Sequence, residues 1–244
     1  MNRANITLMD CRAWVRDIDE ILDRIKSLER LAGKTVFITG AGGLICSAII
    51  DVLIRYNETH DTKITVIAGG RSYDKLRQRF SSIDSGRFLR YAAYDAGASD
   101  NNLDFACDYI IHGASNAYPE LIVKEPVETM TANFLGMKFL LDHARNNQVQ
   151  RVLYISSSEV YGKKEKSGSY CEDEYGYVDL LNVRNAYSVS KRAAESLCSA
   201  YYNEYGVDSV IVRPGHVYGP TASKEDNRVS SAWLYYAAHV KDIV

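Results

Sequence analysis

The sequence predicts an α/β protein built on a doubly wound parallel sheet, and three observations carry that prediction. Short apolar runs rich in β-branched residues alternate with stretches of helical periodicity along most of the 244-residue chain. No hairpin signal joins two neighbouring runs, so the connections must cross over and the strands lie parallel. The first run ends in a glycine-rich turn that opens straight into a helical stretch, the strand–turn–helix start of a Rossmann fold.

Ahead of the sheet, Val15, Ile18, Ile21, Leu22, Ile25 and Leu28 recur at helical spacing between charges. They predict an amphipathic helix over 14–31 that packs on the domain or on a second subunit. KTVFITG (34–40) reads as the first buried strand and AGGLICSAIIDVLIRY (41–56) as the helix after it. KITVIAG (63–69) is the second strand, SYDKLRQRF (72–80) a helix, and RFLRYAAYD (87–95) the third strand. DYIIHGAS (108–115) is the fourth, followed by a long helix over 127–146. RVLYISSS (151–158) is the fifth, then a helix over 186–205, then VDSVIVRPG (207–215) as the sixth. The connection 163–185 stands out by its length, and connections that long are as a rule functional or mobile.

Composition narrows the class. With 29 basic against 31 acidic residues the net charge is −2, which does not suggest a nucleic-acid partner. Five scattered cysteines, odd in number and without a CxxC pair, point to free thiols in a reducing compartment and to no metal site. No apolar segment approaches the length of a membrane span, and the N-terminus lacks a secretory h-region. A cytoplasmic protein without a membrane partner is expected.

The turn TGAGGLIC (39–46) reads as a phosphate cradle. Gly40 permits the tight turn, and Gly43 lets the helix start approach a diphosphate, whose charge the free N–H groups and helix dipole favour. A plain glycine turn is the bland alternative, but the first βα turn of an alternating sheet is the place for a cradle. Cys46 stands where a third glycine normally allows close packing, so the helix is expected slightly farther from the sheet. After the second strand, AGGRS offers no acid for a ribose 2′-hydroxyl; Arg71 and Ser72 suit a 2′-phosphate instead. NADP is therefore favoured over NAD, with a solvated loop cation as the equal alternative for Arg71.

In order along the chain, TGAGGLI, YDAGA, HGAS, SSSEVYG, YSVSK and RPGHVYGP resemble the motifs of the extended short-chain dehydrogenase/reductase family over about 34–220. Its members include NAD(P)-dependent nucleotide-sugar epimerases, dehydratases and decarboxylases. The resemblance implies a cofactor site of Gly40, Gly42, Gly43, Leu44 and Ile45, with Asp95 at the adenine and His112, Gly113, Ala114 and Ser115 at the nicotinamide, together with Pro214. It implies Ser157, Tyr187 and Lys191 as catalytic residues, and Ser115, Asn116, Ser157, Ser158 and His216 as neighbours of a nucleotide-sugar substrate. It divides the chain into an N-terminal extension (1–32), a dinucleotide-binding domain (33–220) and the beginning of a substrate lobe (221–244). It also implies a homodimer through the helices at 127–146 and 186–205.

The chemistry agrees. A free tyrosine ionises near pH 10, so it is almost wholly protonated at neutrality. A lysine at i+4 shares its helical face and favours the phenolate. Tyr187 can then take a sugar hydroxyl proton, with Ser157 hydrogen-bonded to that hydroxyl. Hydroxyl–Ser158–Glu159 resembles the pattern of decarboxylases and some 4,6-dehydratases, and a dehydratase needs a carboxylate to remove the C5 proton once C4 is a ketone; the bland alternative is that Glu159 caps or salt-bridges within its loop. Asn133 is either near the site or an internal hydrogen-bonder, and His216 either touches a diphosphate or satisfies a loop carbonyl. The reading from a different class is a non-catalytic dinucleotide-binding sensor, which Cys46 and the short C-terminal lobe favour and intact Ser157, Tyr187 and Lys191 oppose.

Overall fold

The computed structural model describes residues 7–83, 86–165, 168–222 and 229–239. Six strands form one sheet: β1 (Thr35–Thr39), β2 (Thr65–Gly70), β3 (Leu89–Ala93), β4 (Tyr109–His112), β5 (Arg151–Ile155) and β6 (Ser209–Val212). Their order is β3-β2-β1-β4-β5-β6, and every pairing is parallel. The order reverses direction between β1 and β4, and in such sheets a crevice opens there beyond the carboxyl ends of the strands.

The helices are α1 (Arg12–Arg24), α2 (Leu44–His60), α3 (Tyr73–Arg79), α4 (Pro119–Lys124), α5 (Pro126–Asn146), α6 (Ala186–Tyr205) and α7 (Val229–Ala238). Two apolar clusters flank the sheet. One joins Phe37 and Ile110 to Met137, Leu140, Leu141 of α5 and Ala194, Cys198 of α6; the other joins Val36 and Ile38 to Ile50, Leu53, Ile54 of α2 and Leu76 of α3. Strands buried on both faces read as unbroken apolar runs, which is why β1, β2 and β5 were plain in the sequence.

The N-terminal helix is shorter than its apolar spacing implies. The chain leaves the helical region at Ile25 (φ −95°, ψ 97°) and closes with a separate 3-10 turn at Leu28–Leu31. Only Ile18 of α1 is buried, while Ile21 and Ile25 are exposed. Polar contacts dock the helix instead: Trp14 Nε1 donates to Asp51 at 2.9 Å, and Arg55 forks onto Asp19 at 2.8 and 3.0 Å. Two helices lay outside the expectation. Helix α4 is too short to show a period and starts with Pro119 at its first position. Helix α7 is apolar on all sides with no buried residue, so no face marks it.

Connection 163–185 is tied to the body of the fold at its middle, around Glu172–Gly176. Arg192 of α6 donates to the Val160 and Gly176 carbonyls at 2.6 and 2.9 Å. Arg213, just past β6, donates to the Glu172 carbonyl at 2.7 Å and the Tyr175 hydroxyl at 2.6 Å. Its guanidinium also lies 5.0 and 5.2 Å from the Tyr161 and Tyr175 rings.

Candidate active site

A cleft of about 2600 Å³ runs along the carboxyl ends of the strands. That is several times a drug-sized pocket, on the order of 300–1,000 Å³, and leaves room for two nucleotide-sized molecules.

At one end lies the glycine turn. Gly40 has φ +67°, and a Cβ there would sit 2.7 Å from the Ala114 nitrogen and the Gly113 carbonyl carbon. The two loops can therefore approach only because this residue lacks a side chain. Helix α2 starts at Leu44 with Gly43 as its cap and no side-chain capping bond, which leaves its first N–H groups turned to the cleft for an anion. Gly42, Leu44 and Ile45 line the same wall. Cys46 is accommodated against the sheet by a glycine opposite it. It is buried with its sulfur under Gly113, where an added Cβ would meet it at 2.4 Å, so the larger residue on α2 is matched by the absence of a side chain after β4. Burial pushes the Cys46 thiol up to about 12, which makes it a packing group and not a nucleophile.

Arg71 and Ser72 lie at the cleft edge after β2 beside Lys75, and the Ser72 hydroxyl caps α3 by accepting from the Lys75 N–H at 3.3 Å. Asp95 lines the cleft after β3, with one carboxylate oxygen accepting from the Gly97 N–H at 3.0 Å.

At the other end, Gly113, Ala114, Ser115 and Asn116 face Ser157, Ser158, Glu159, Tyr187 and Lys191 across the cleft, and Pro214 and His216 line its rim. The Ser115 hydroxyl is buried without a protein partner. Ser157 accepts from the Glu159 N–H at 3.2 Å through its hydroxyl, and the Ser158 N–H donates to the Pro214 carbonyl at 2.9 Å. Tyr187 is the second residue of α6, in the turn where the helix dipole favours an anion. Lys191 is 2 % exposed, donates to the Ile155 carbonyl at 2.8 Å, and places its ammonium 4.7 Å from the Tyr154 ring and 5.6 Å from the Tyr187 ring. Burial pushes its pKa down to about 7, against a smaller upward pull from Cys46 and Glu195.

Glu159 is clamped. Both its oxygens accept from the Arg184 guanidinium, at 2.9 and 3.1 Å. The pairing expected as the bland alternative is present, and it sits in the cleft itself, which both residues line. Arg184, Lys75 and Arg79 are cleft residues that sequence reasoning missed; a cation three residues before Tyr187 was the available signal for Arg184.

His112 is the exception among the expected residues. It lies beneath the cleft, 1 % exposed, with Nδ1 2.7 Å from the Thr39 hydroxyl and its ring stacked on Tyr154. Burial and Lys191 push its pKa down to about 3, so it is a neutral packing group under the floor. Asn133 is likewise internal, donating to the Ser190 hydroxyl at 3.0 Å.

A family model described as the NAD dependent epimerase/dehydratase family matches residues 36–244, most of the chain. The chain belongs to this family. Among curated relatives, the epimerase/dehydratase chain is 28% identical over 214 residues to a UDP-glucuronic acid decarboxylase 1 of Xenopus tropicalis, covering 87% of this chain and 48% of the relative. It is 26% identical over 201 residues to a dTDP-D-glucose 4,6-dehydratase of Dictyostelium discoideum, covering 77% and 44%. The chain thus spans about half the length of these relatives. Among solved structures it is similar to a UDP-glucose 4-epimerase of Thermotoga maritima, with TM-score 0.68, 19% identity and coverage of 86% and 64%. That likeness fixes the fold.

Proposed function

We propose that this epimerase/dehydratase chain binds NAD(P) in the cleft and oxidises a nucleotide-activated sugar at C4, as the first step of an epimerisation, dehydration or decarboxylation. The observation that carries the reading is the convergence of Ser157, Tyr187 and Lys191 on the wall facing the uncapped start of α2. The cradle suits a dinucleotide diphosphate: Gly40 lets the turn close on the Gly113–Ala114 backbone, and α2 begins just beyond it with no side-chain cap on its first N–H groups. Bound NAD(P) supplies the hydride acceptor. Tyr187 takes the C4 hydroxyl proton, Ser157 holds that hydroxyl, and Lys191 together with the helix start favours the phenolate. Glu159 is the group available to move the C5 proton, which favours dehydration or decarboxylation over simple epimerisation. Two of the relatives, a decarboxylase and a dehydratase by name, support the same branch.

Arg71 and Lys75 make NADP the favoured cofactor. Dimerisation is proposed through α5, where Val127, Met130 and Phe134 form one exposed apolar stripe.

Incubation with UDP-, dTDP-, GDP- and CDP-sugars, with NAD and NADP in separate arms, tests the reading by absorbance at the reduced nicotinamide band and by product mass. Turnover is expected with one sugar class, and a preference for NADP is expected to disappear in Arg71→Ala. Glu159→Gln is expected to reduce cofactor and then stall. Binding of dinucleotide without turnover of any sugar would instead favour the non-catalytic sensor, and full turnover by Glu159→Gln would remove that residue's role.

A further inference from the structure

The family match begins at residue 36, yet part of the cleft wall comes from ahead of it. Thr7 and Leu8 line the cleft together with Arg71, Ser72, Lys75 and Arg79. In the sheet order, β1 and the start of α2 stand between β2 and β3 on one side and β4 and β5 on the other. On the reading above, the nicotinamide lies toward Tyr187, past β4 and β5, so the adenosine half falls to the β2–β3 side. The N-terminal segment belongs to that side. The Thr7 N–H and hydroxyl donate to the Asp10 carboxylate at 2.7 and 3.0 Å, closing the 3-10 turn Leu8–Asp10. The same hydroxyl contacts that of Ser82, just past α3, and Met9 packs on the apolar cluster of α2 and α3. Helix α1 reaches the cleft by a second route. Asp51 of α2 is fully buried, and one of its oxygens accepts from Trp14 Nε1 at 2.9 Å and from Arg79 at 2.5 Å. Arg79 follows Lys75 by four residues, so the two cations share a face of α3.

We propose that the segment 7–24 completes the adenosine half of the cofactor site: Thr7 and Leu8 supply a wall of it, and Trp14, through Asp51, positions Arg79 beside Lys75. The inference rests on the reading of the cleft as an NAD(P) site. Helix α1 has 13 residues and one buried side chain, so it is marginal alone and depends on these contacts for its order. A ligand that leans on Leu8 and Arg79 therefore adds to the docking of α1, and the docking of α1 adds to the affinity for that ligand. A helix that only braced the fold would not respond to the cofactor.

The test uses the full chain with NADP and with 2′-phospho-ADP-ribose, which carries the adenosine half without the nicotinamide. A weakly docked helix exchanges its amides by local opening, so slower exchange there reports contact with the segment and not overall stability. Both ligands are expected to slow exchange across 8–24. Trp14→Phe and Leu8→Ser are each expected to weaken NADP binding about fivefold in titration calorimetry. The first keeps a ring in place and removes the donor to Asp51. The second leaves that bond alone and removes the apolar wall, so one variant that fails to fold does not silence the test. Binding of both ligands with exchange unchanged at 8–24, or with affinity unchanged in both variants, would overturn the inference and leave the cofactor reading standing. Failure of the wild-type chain to bind either ligand would defeat that reading and this inference with it.

Discussion

At the residue scale, Cys46 and Gly113 form a single unit although 67 positions separate them in the sequence. The sulfur fills the space a Gly113 side chain would need, under the loop that follows β4. Gly113→Ala is expected to lower stability by about 2 kcal/mol through overpacking, measured by denaturant unfolding. In a Cys46→Gly background the same substitution has Ile155 Cδ1 at 3.2 Å and the Thr39 carbonyl at 3.5 Å as its nearest neighbours, and most of the cost is expected to vanish. Equal costs in both backgrounds would mean that the sulfur is not the obstacle. Such a pair is not legible in a sequence, because each member looks like an unremarkable departure or an ordinary glycine. The same holds for Glu159 and Arg184: Glu159 stood out in its motif and Arg184 did not, because the fork joining them depends on how the 163–185 connection returns to α6.

At the element scale, α6 concentrates the chemistry on one face. Tyr187, Lys191 and Glu195 follow at i, i+4 and i+8, and the third holds Arg213 in a fork while accepting from the Ser156 hydroxyl at 2.5 Å. The buried ion pair thus ties the residue before Ser157 to the helix of Tyr187 and to the Glu172–Tyr175 stretch. Arg213→Met is expected to cost about 3 kcal/mol, because it leaves a buried carboxylate uncompensated. Amide hydrogen exchange is expected to quicken around 172–177 in particular, and exchange unchanged there would show that the arginine is not what holds the connection. The bounds of α6 were readable at 186–205, since its motif and its apolar period coincide. Helix α1 was overextended because apolar spacing alone does not reveal that polar bonds to α2 do the docking. Helix α4 offered no period to read.

At the scale of the whole molecule, the sheet order with its reversal between β1 and β4 gathers loops from distant parts of the chain into one cleft. The alternation of runs made that architecture legible, but not which face meets a partner. Phe134→Glu on the α5 stripe is expected to give a monomer with an unchanged melting temperature, by sedimentation or light scattering. A dimer persisting in that variant would move the interface elsewhere. Arg192 adds a mechanical consequence to this plan. It follows Lys191 directly on α6 and grips the backbone of both Val160 and Gly176. One guanidinium, next door to Lys191, thus fastens two separate backbone stretches to α6 at once, and neither can drift from the helix while that double grip lasts.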